Sequence, residues 1–157
     1  MNSERSLREH LVTLLDSENA HVNFDGVVKG FPHEHYGTRP EGSPHSGWEL
    51  LEHLRITQWD ILEFTRDPKH VSPEWPSGYW PPSPEPPDDQ AWDESIAAFR
   101  RDLQSMMVIA RDESIDLYTP LAHGDGQTVL REILLTADHN AYHLGQLMLV
   151  RRMVENS

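Results

Sequence analysis

His139 and His143 stand one helical turn apart in "ADHNAYHLGQLMLVRR", residues 137–152, a stretch that is otherwise mostly apolar. At about 100° per residue their rings project within about 40° of each other. Two neutral imidazoles so placed can share one divalent cation, and a third ligand from another element would complete the set. Leu135, Thr136, Gln146 and Val150 fall on the same stripe, so the pair sits among largely apolar neighbours. A second stretch, "GWELLEHLRITQWDILEF", offers His53 on a face shared with Leu50, Thr57, Ile61 and Phe64. A lone core histidine is ordinarily a hydrogen-bonded structural residue. Three core-facing histidines favour metal binding instead, because three unpaired imidazoles in a small core would be costly.

Other side chains could serve such a site. His21, in "ENAHVNFD", shares a helical face with Phe24 and Val28 and would point toward the same pocket. Among the acids, Asp60 lies two turns beyond His53, Glu49 one turn before it, and Glu132 two turns before His139. These four are the candidates for proton handling, or for orienting a histidine or a bound water, although each acid read singly is a solvated rim residue. His33, His35, His45, His70 and His123 fall in loops, turns or before a helix cap, and His10 falls on a solvated face.

Four helical segments must position these residues. The first runs from Ser3 through "LREHLVTLL" and resumes over "NAHVNFDGVVKG", with Ser17 as the interruption. The second opens at Ser46, where "SGWE" fits a capping box, and continues to about Thr65. The third spans roughly Gln90–Arg111, with Trp92, Ile96, Phe99, Leu103, Met106 and Met107 at helical spacing. The fourth runs from about Thr128 to Glu155. Between the second and third lies "RDPKHVSPEWPSGYWPPSPEPPDD", with eight prolines from Pro68 to Pro87. Such a density forbids helix and central strand. Its composition also suits a disordered linker, but Trp75, Tyr79 and Trp80 favour an ordered cross-connection packed over the bundle. The expected fold is all-α, a single four-helix-bundle domain over residues 1–157.

The composition narrows the partners. Asp plus Glu outnumber Lys plus Arg 26 to 13, for a formal net charge of −13. That surface repels nucleic acid and anionic membranes. Cysteine is absent, which removes disulfides, thiolate metal ligands and a cysteine nucleophile. The opening "MNSERSLREHLVTLL" has no continuous apolar core of a signal peptide, and no run is long enough to span a membrane. A cytoplasmic location is the expectation.

The motifs "WELLEHLRITQWDILEF", "PEWPSGYWP" and "REILLTADHNAYHLGQLMLVRRM" resemble the DinB-like superfamily, also called DinB/YfiT-like, over nearly the whole chain. The resemblance implies an up-down-down-up four-helix bundle, usually dimeric, with a metal held by His53, His139 and His143. It implies a metal-dependent enzyme, a thiol S-transferase acting on small electrophiles or a hydrolase-like relative; described relatives include thiol S-transferases using bacillithiol and isomerases or related enzymes using mycothiol or glutathione. The thiol arrives as a cosubstrate, so the lack of cysteine is compatible. A three-histidine site leaves coordination positions open for water or a thiolate. Zinc or nickel suits imidazole ligands, and iron or manganese also accepts them. The alternative is a non-catalytic metal or small-molecule binding bundle in a stress response. A homodimer is expected through a second stripe of the fourth helix, Leu130, Leu134, Ala137, Ala141, Leu144 and Met148, with the alternative that part of this stripe faces the protomer's own core.

Overall fold

The computed structural model describes residues 3–17 and 20–156. Among them are five α-helices and no named strand: α1 (Ser3–Asp16), α2 (Phe24–Val28), α3 (Gly47–Arg66), α4 (Ala91–Arg111) and α5 (Val129–Glu155). The chain is therefore all-α. No helix among the described residues is long and apolar enough to cross a membrane. α3 packs against both α4 and α5, and α1 lies against α4 and α5.

Local chemistry sets the helix ends where the sequence predicts them. Ser46 caps α3 through its side chain, which accepts from Glu49 N–H, while Glu49 accepts from Ser46 N–H. Thr128 caps α5 by accepting from Arg131 N–H. One segment departs from expectation. The chain leaves α1 at Ser17 with φ of 60°, a left-handed turn, and the helix does not resume as one piece. Asn19 lies outside the described residues, and helical structure returns only as the five-residue α2, capped by Asn23. The Arg151 guanidinium donates to the carbonyls of Gly26, Val27 and Lys29 and so ties the end of α2 to α5.

The core divides into two apolar clusters. One gathers Phe24, Phe31, Trp48, Leu51, Leu54, Trp92, Phe99 and Leu147; the other Leu11, Leu15, Leu62, Met106, Leu117 and Ile133. A polar layer lies at their boundary. The fully buried Gln58 donates through Nε2 to Phe99 O at 2.8 Å, and its Oε1 accepts from Asn140 Nδ2 at 2.8 Å. These two amides join α3, α4 and α5 where the apolar contacts give way. Burial without such partners would cost about 1–3 kcal/mol per group.

The proline-rich connection is anchored at several points, but not by all three predicted aromatics. Trp75 is 76% exposed, touching Tyr79 edge-on, because its ring lies over the connection's outer side. Tyr79 and Trp80 are half-buried against α3, and Ser46 Oγ donates to Pro84 O at 2.6 Å. We expect limited digestion of the folded protein with a broad-specificity protease to spare residues 69–88. Rapid internal cleavage there would mean that these anchors do not hold.

Candidate metal centre

α3 supplies His53 and α5 supplies His139 and His143, and the three rings converge. His53 Nε2 lies 3.1 Å from His143 Nε2 and 3.1 Å from His139 Nε2. Their ligand atoms all fall within 4.8 Å of one another. A tetrahedral ion with bonds of ~2.1 Å would hold its ligand nitrogens ~3.4 Å apart, so the cluster needs little adjustment to accept one.

The opposite edges of the rings fix what the converging atoms carry. His53 Nδ1–H donates to Tyr79 O at 2.9 Å, and His143 Nδ1–H donates to Gln146 Oε1 at 2.7 Å. Both Nε2 atoms are then bare lone pairs, 3.1 Å apart with no proton between them. A proton could relieve that opposition only by charging a ring, which burial disfavours. Burial, and secondarily the nearby His143 and His45, push His53 down to about 4 despite the opposing bond to Tyr79 O. Burial followed by His143 and His53 pushes His139 to about 3. His143 is also lowered, by burial, against the opposing effect of its bond to Gln146. A divalent cation satisfies all three nitrogens without this penalty. The donor set fits a metal.

Three further buried atoms on α3 and α5 have no hydrogen-bond partner among the described residues: His139 Nδ1, Thr57 Oγ1 and Asn140 Oδ1. Thr57 is one turn along α3 from His53. Groups of this kind are ordinarily satisfied by water.

The connection forms one wall. Trp80 stacks on His53 at a centroid separation of 3.9 Å and 2° between planes, and also stacks on His45 at 4.1 Å. Tyr142 stands edge-on to His143 at 4.8 Å and is 66% exposed, marking the solvent side.

The remaining candidates are placed elsewhere or engaged otherwise. His21 is exposed, its Nδ1 2.9 Å from Val22 O, because the break after α1 leaves it in a link rather than on a core-facing helix. It does not line the site. Glu49 is engaged by Arg39 and by the α3 cap. Burial raises its pKa, but the bonds from Arg39 and Ser46 outweigh this and hold the carboxyl below its usual value. Glu132 is buried and paired with Arg131 at 2.7 Å. Asp60 accepts from His70 Nε2 and the Tyr79 hydroxyl, each at 2.7 Å, rather than from a ring of the triad.

The roles of the Tyr79 carbonyl and of His70 were not visible in the sequence. A carbonyl has no residue signature, and His70 reads as a turn residue. Gln146 does lie on the histidine stripe as the sequence places it, and its bond to His143 follows from the three-residue spacing.

No curated protein and no solved structure matches this chain. A family model of the DinB superfamily matches residues 17–147, a span that contains His53, the connection and both histidines of α5. The match covers well over half the sequence; the chain belongs to the DinB superfamily.

Proposed function

We propose that this protein is a metal-dependent enzyme in which His53, His139 and His143 hold a divalent ion, zinc or nickel before iron or manganese. The observation that carries the reading is the pair of facing lone pairs on His53 and His143, each locked by its own Nδ1–H bond. The reaction we favour joins a low-molecular-weight thiol to a small electrophile. The ion would supply Lewis acidity, lowering the pKa of a coordinated thiol or water so that a nucleophile exists at neutral pH.

The chain's own residues prepare this chemistry. Tyr79 O and Gln146 Oε1 keep two ligands in the tautomer that leaves Nε2 free. Trp80 covers the face of His53 and keeps water from it. Tyr142, at the exposed edge, is placed to meet an incoming substrate. Elemental analysis of untagged protein tests the metal. A screen of low-molecular-weight thiols against electrophiles then tests the transfer, and bound metal with no turnover would leave a binding bundle.

The reading includes an up-down-down-up arrangement of the four long helices in one domain, and a homodimer. The predicted interface stripe needs redrawing: Ala137 and Leu144 are buried in the protomer's own core. Leu134, Leu149 and Met153 remain exposed on α5, and a Cβ at Gly145 would meet nothing within 4 Å. This face, with Ala141 between Leu134 and Gly145, is the proposed contact. Ala141→Glu should halve the mass measured by light scattering, and an unchanged dimer would reject this interface.

A further inference from the structure

Asp60 is buried on α3, and its carboxylate grips two points of the connection at once. Oδ1 accepts from His70 Nε2 and Oδ2 from the Tyr79 hydroxyl, each at 2.7 Å. The His70 ring is itself buried and packs edge-on against Trp59 at 5.1 Å. Residues 70–79 are thus held at both ends by one side chain.

Tyr79 meets α3 twice. Its hydroxyl binds Asp60, and its carbonyl receives Nδ1–H of His53, seven residues earlier on the same helix. Seven residues span about 10.5 Å of helix, so one tyrosine bridges nearly two turns. Tyr79 is the last residue of a short 3₁₀ turn (Ser77–Tyr79), and no ladder of hydrogen bonds continues from it to fix the direction of its carbonyl. Anchors must do so, and hydrogen bonds to an ionised carboxylate are among the stronger ones. Burial, then the bond to Asp60 and its charge, raise the Tyr79 phenol to about 12, which keeps it a donor. The next residue, Trp80, is the one stacked on His53.

The geometry points to Asp60 as a positioning residue for the metal centre: by holding Tyr79, it fixes the carbonyl that sets the tautomer and ring plane of His53. This rests on the reading of the three histidines as a metal site. Asp60 acts from two turns away, through the backbone of another residue, and not as a proton-handling group beside the ion.

The test compares wild type, Asp60→Ala and Tyr79→Phe, each stripped with chelator and titrated with zinc against a chromophoric competitor. Long-range ¹⁵N–¹H spectra of the metal-free proteins read the tautomer of His53 directly. Both variants should bind zinc about 10–100-fold more weakly, and His53 should pass from one tautomer, protonated at Nδ1, to a mixture. Tyr79→Phe deletes a single oxygen and keeps the ring, so it remains informative if Asp60→Ala fails to fold. A folded Tyr79→Phe protein with wild-type affinity and an unmixed Nδ1–H tautomer would overturn the proposal. Wild-type protein that binds neither zinc nor nickel would instead remove the metal reading; the tautomer measurement, which needs no ion, still decides whether Asp60 sets His53.

Discussion

Replacing His53, His139 or His143 with alanine should reduce the metal content of purified protein from near one ion per chain to below about a tenth. Each variant removes one of three nitrogens that lie within 4.8 Å of one another, and two imidazoles hold a divalent ion far more weakly than three. The helices keep both apolar clusters, so far-UV circular dichroism should stay helical. What changes is the response to added metal. Wild-type protein at a free zinc concentration 100 times its dissociation constant should gain about 2.7 kcal/mol, read as a rise in melting temperature. The variants should melt at the same temperature with and without zinc. His10→Ala, on the exposed side of α1, should behave as wild type. If His53→Ala retains a full complement of metal, the site is built from other ligands and the assignment fails.

Acid should unfold the metal-stripped protein through the same residues. His53 and His139 are held neutral in the folded state, with values pushed down to about 4 and about 3 by burial. In the unfolded chain each returns to the ordinary histidine value near ~6.5. Between those limits the unfolded state binds more protons, so stability falls as pH falls. The contribution is complete above pH ~6.5 and is lost as pH drops toward about 4 for His53 and about 3 for His139. Each histidine adds a slope of up to about 1.4 kcal/mol per pH unit. The sequence alone suggests that metal affinity should weaken below about pH 6, where free histidine titrates. Burial moves that competition lower, because the folded site resists protonation until well below it. Urea titrations of stripped protein from pH 7.5 to 4.5 check the sign. A flat profile would show that the rings are solvated rather than buried.

Much of the site was legible because helices translate sequence spacing into direction. His139 and His143 share a face by arithmetic, and His53 lies on a stripe with Leu50 and Ile61, both buried. The "SGWE" box fixed the start of α3, and with it the phase of His53. What escaped was whatever depends on irregular chain. The break at Ser17 takes His21 away from the core, because one left-handed residue discards the helical phase on which its placement relied. Trp75 and Trp80 are five residues apart in the same connection, yet one lies in solvent and the other on His53. Without a repeating backbone there is no period from which to tell them apart. The Glu49 carboxylate lay at the right spacing for a role at the site, but Arg39 in the preceding loop and the helix cap claim it.

The Gln58–Asn140 pair has a further consequence, for how firmly the helices are registered. Apolar side chains tolerate sliding: if α5 moved along α3 by one turn, about 5.4 Å, leucine would still meet leucine or isoleucine. The two amides do not tolerate it, since Gln58 would lose Asn140 and leave a buried acceptor open. Asn140 adjoins His139 in the chain and precedes His143 by three residues. The alignment that pairs the two amides is therefore the one that brings the α5 imidazoles level with His53. A sequence keeping all three histidines but carrying leucine at both 58 and 140 could fold as tightly and still present its nitrogens a full turn apart. The amide layer acts as a key, admitting one of several comparably greasy alignments.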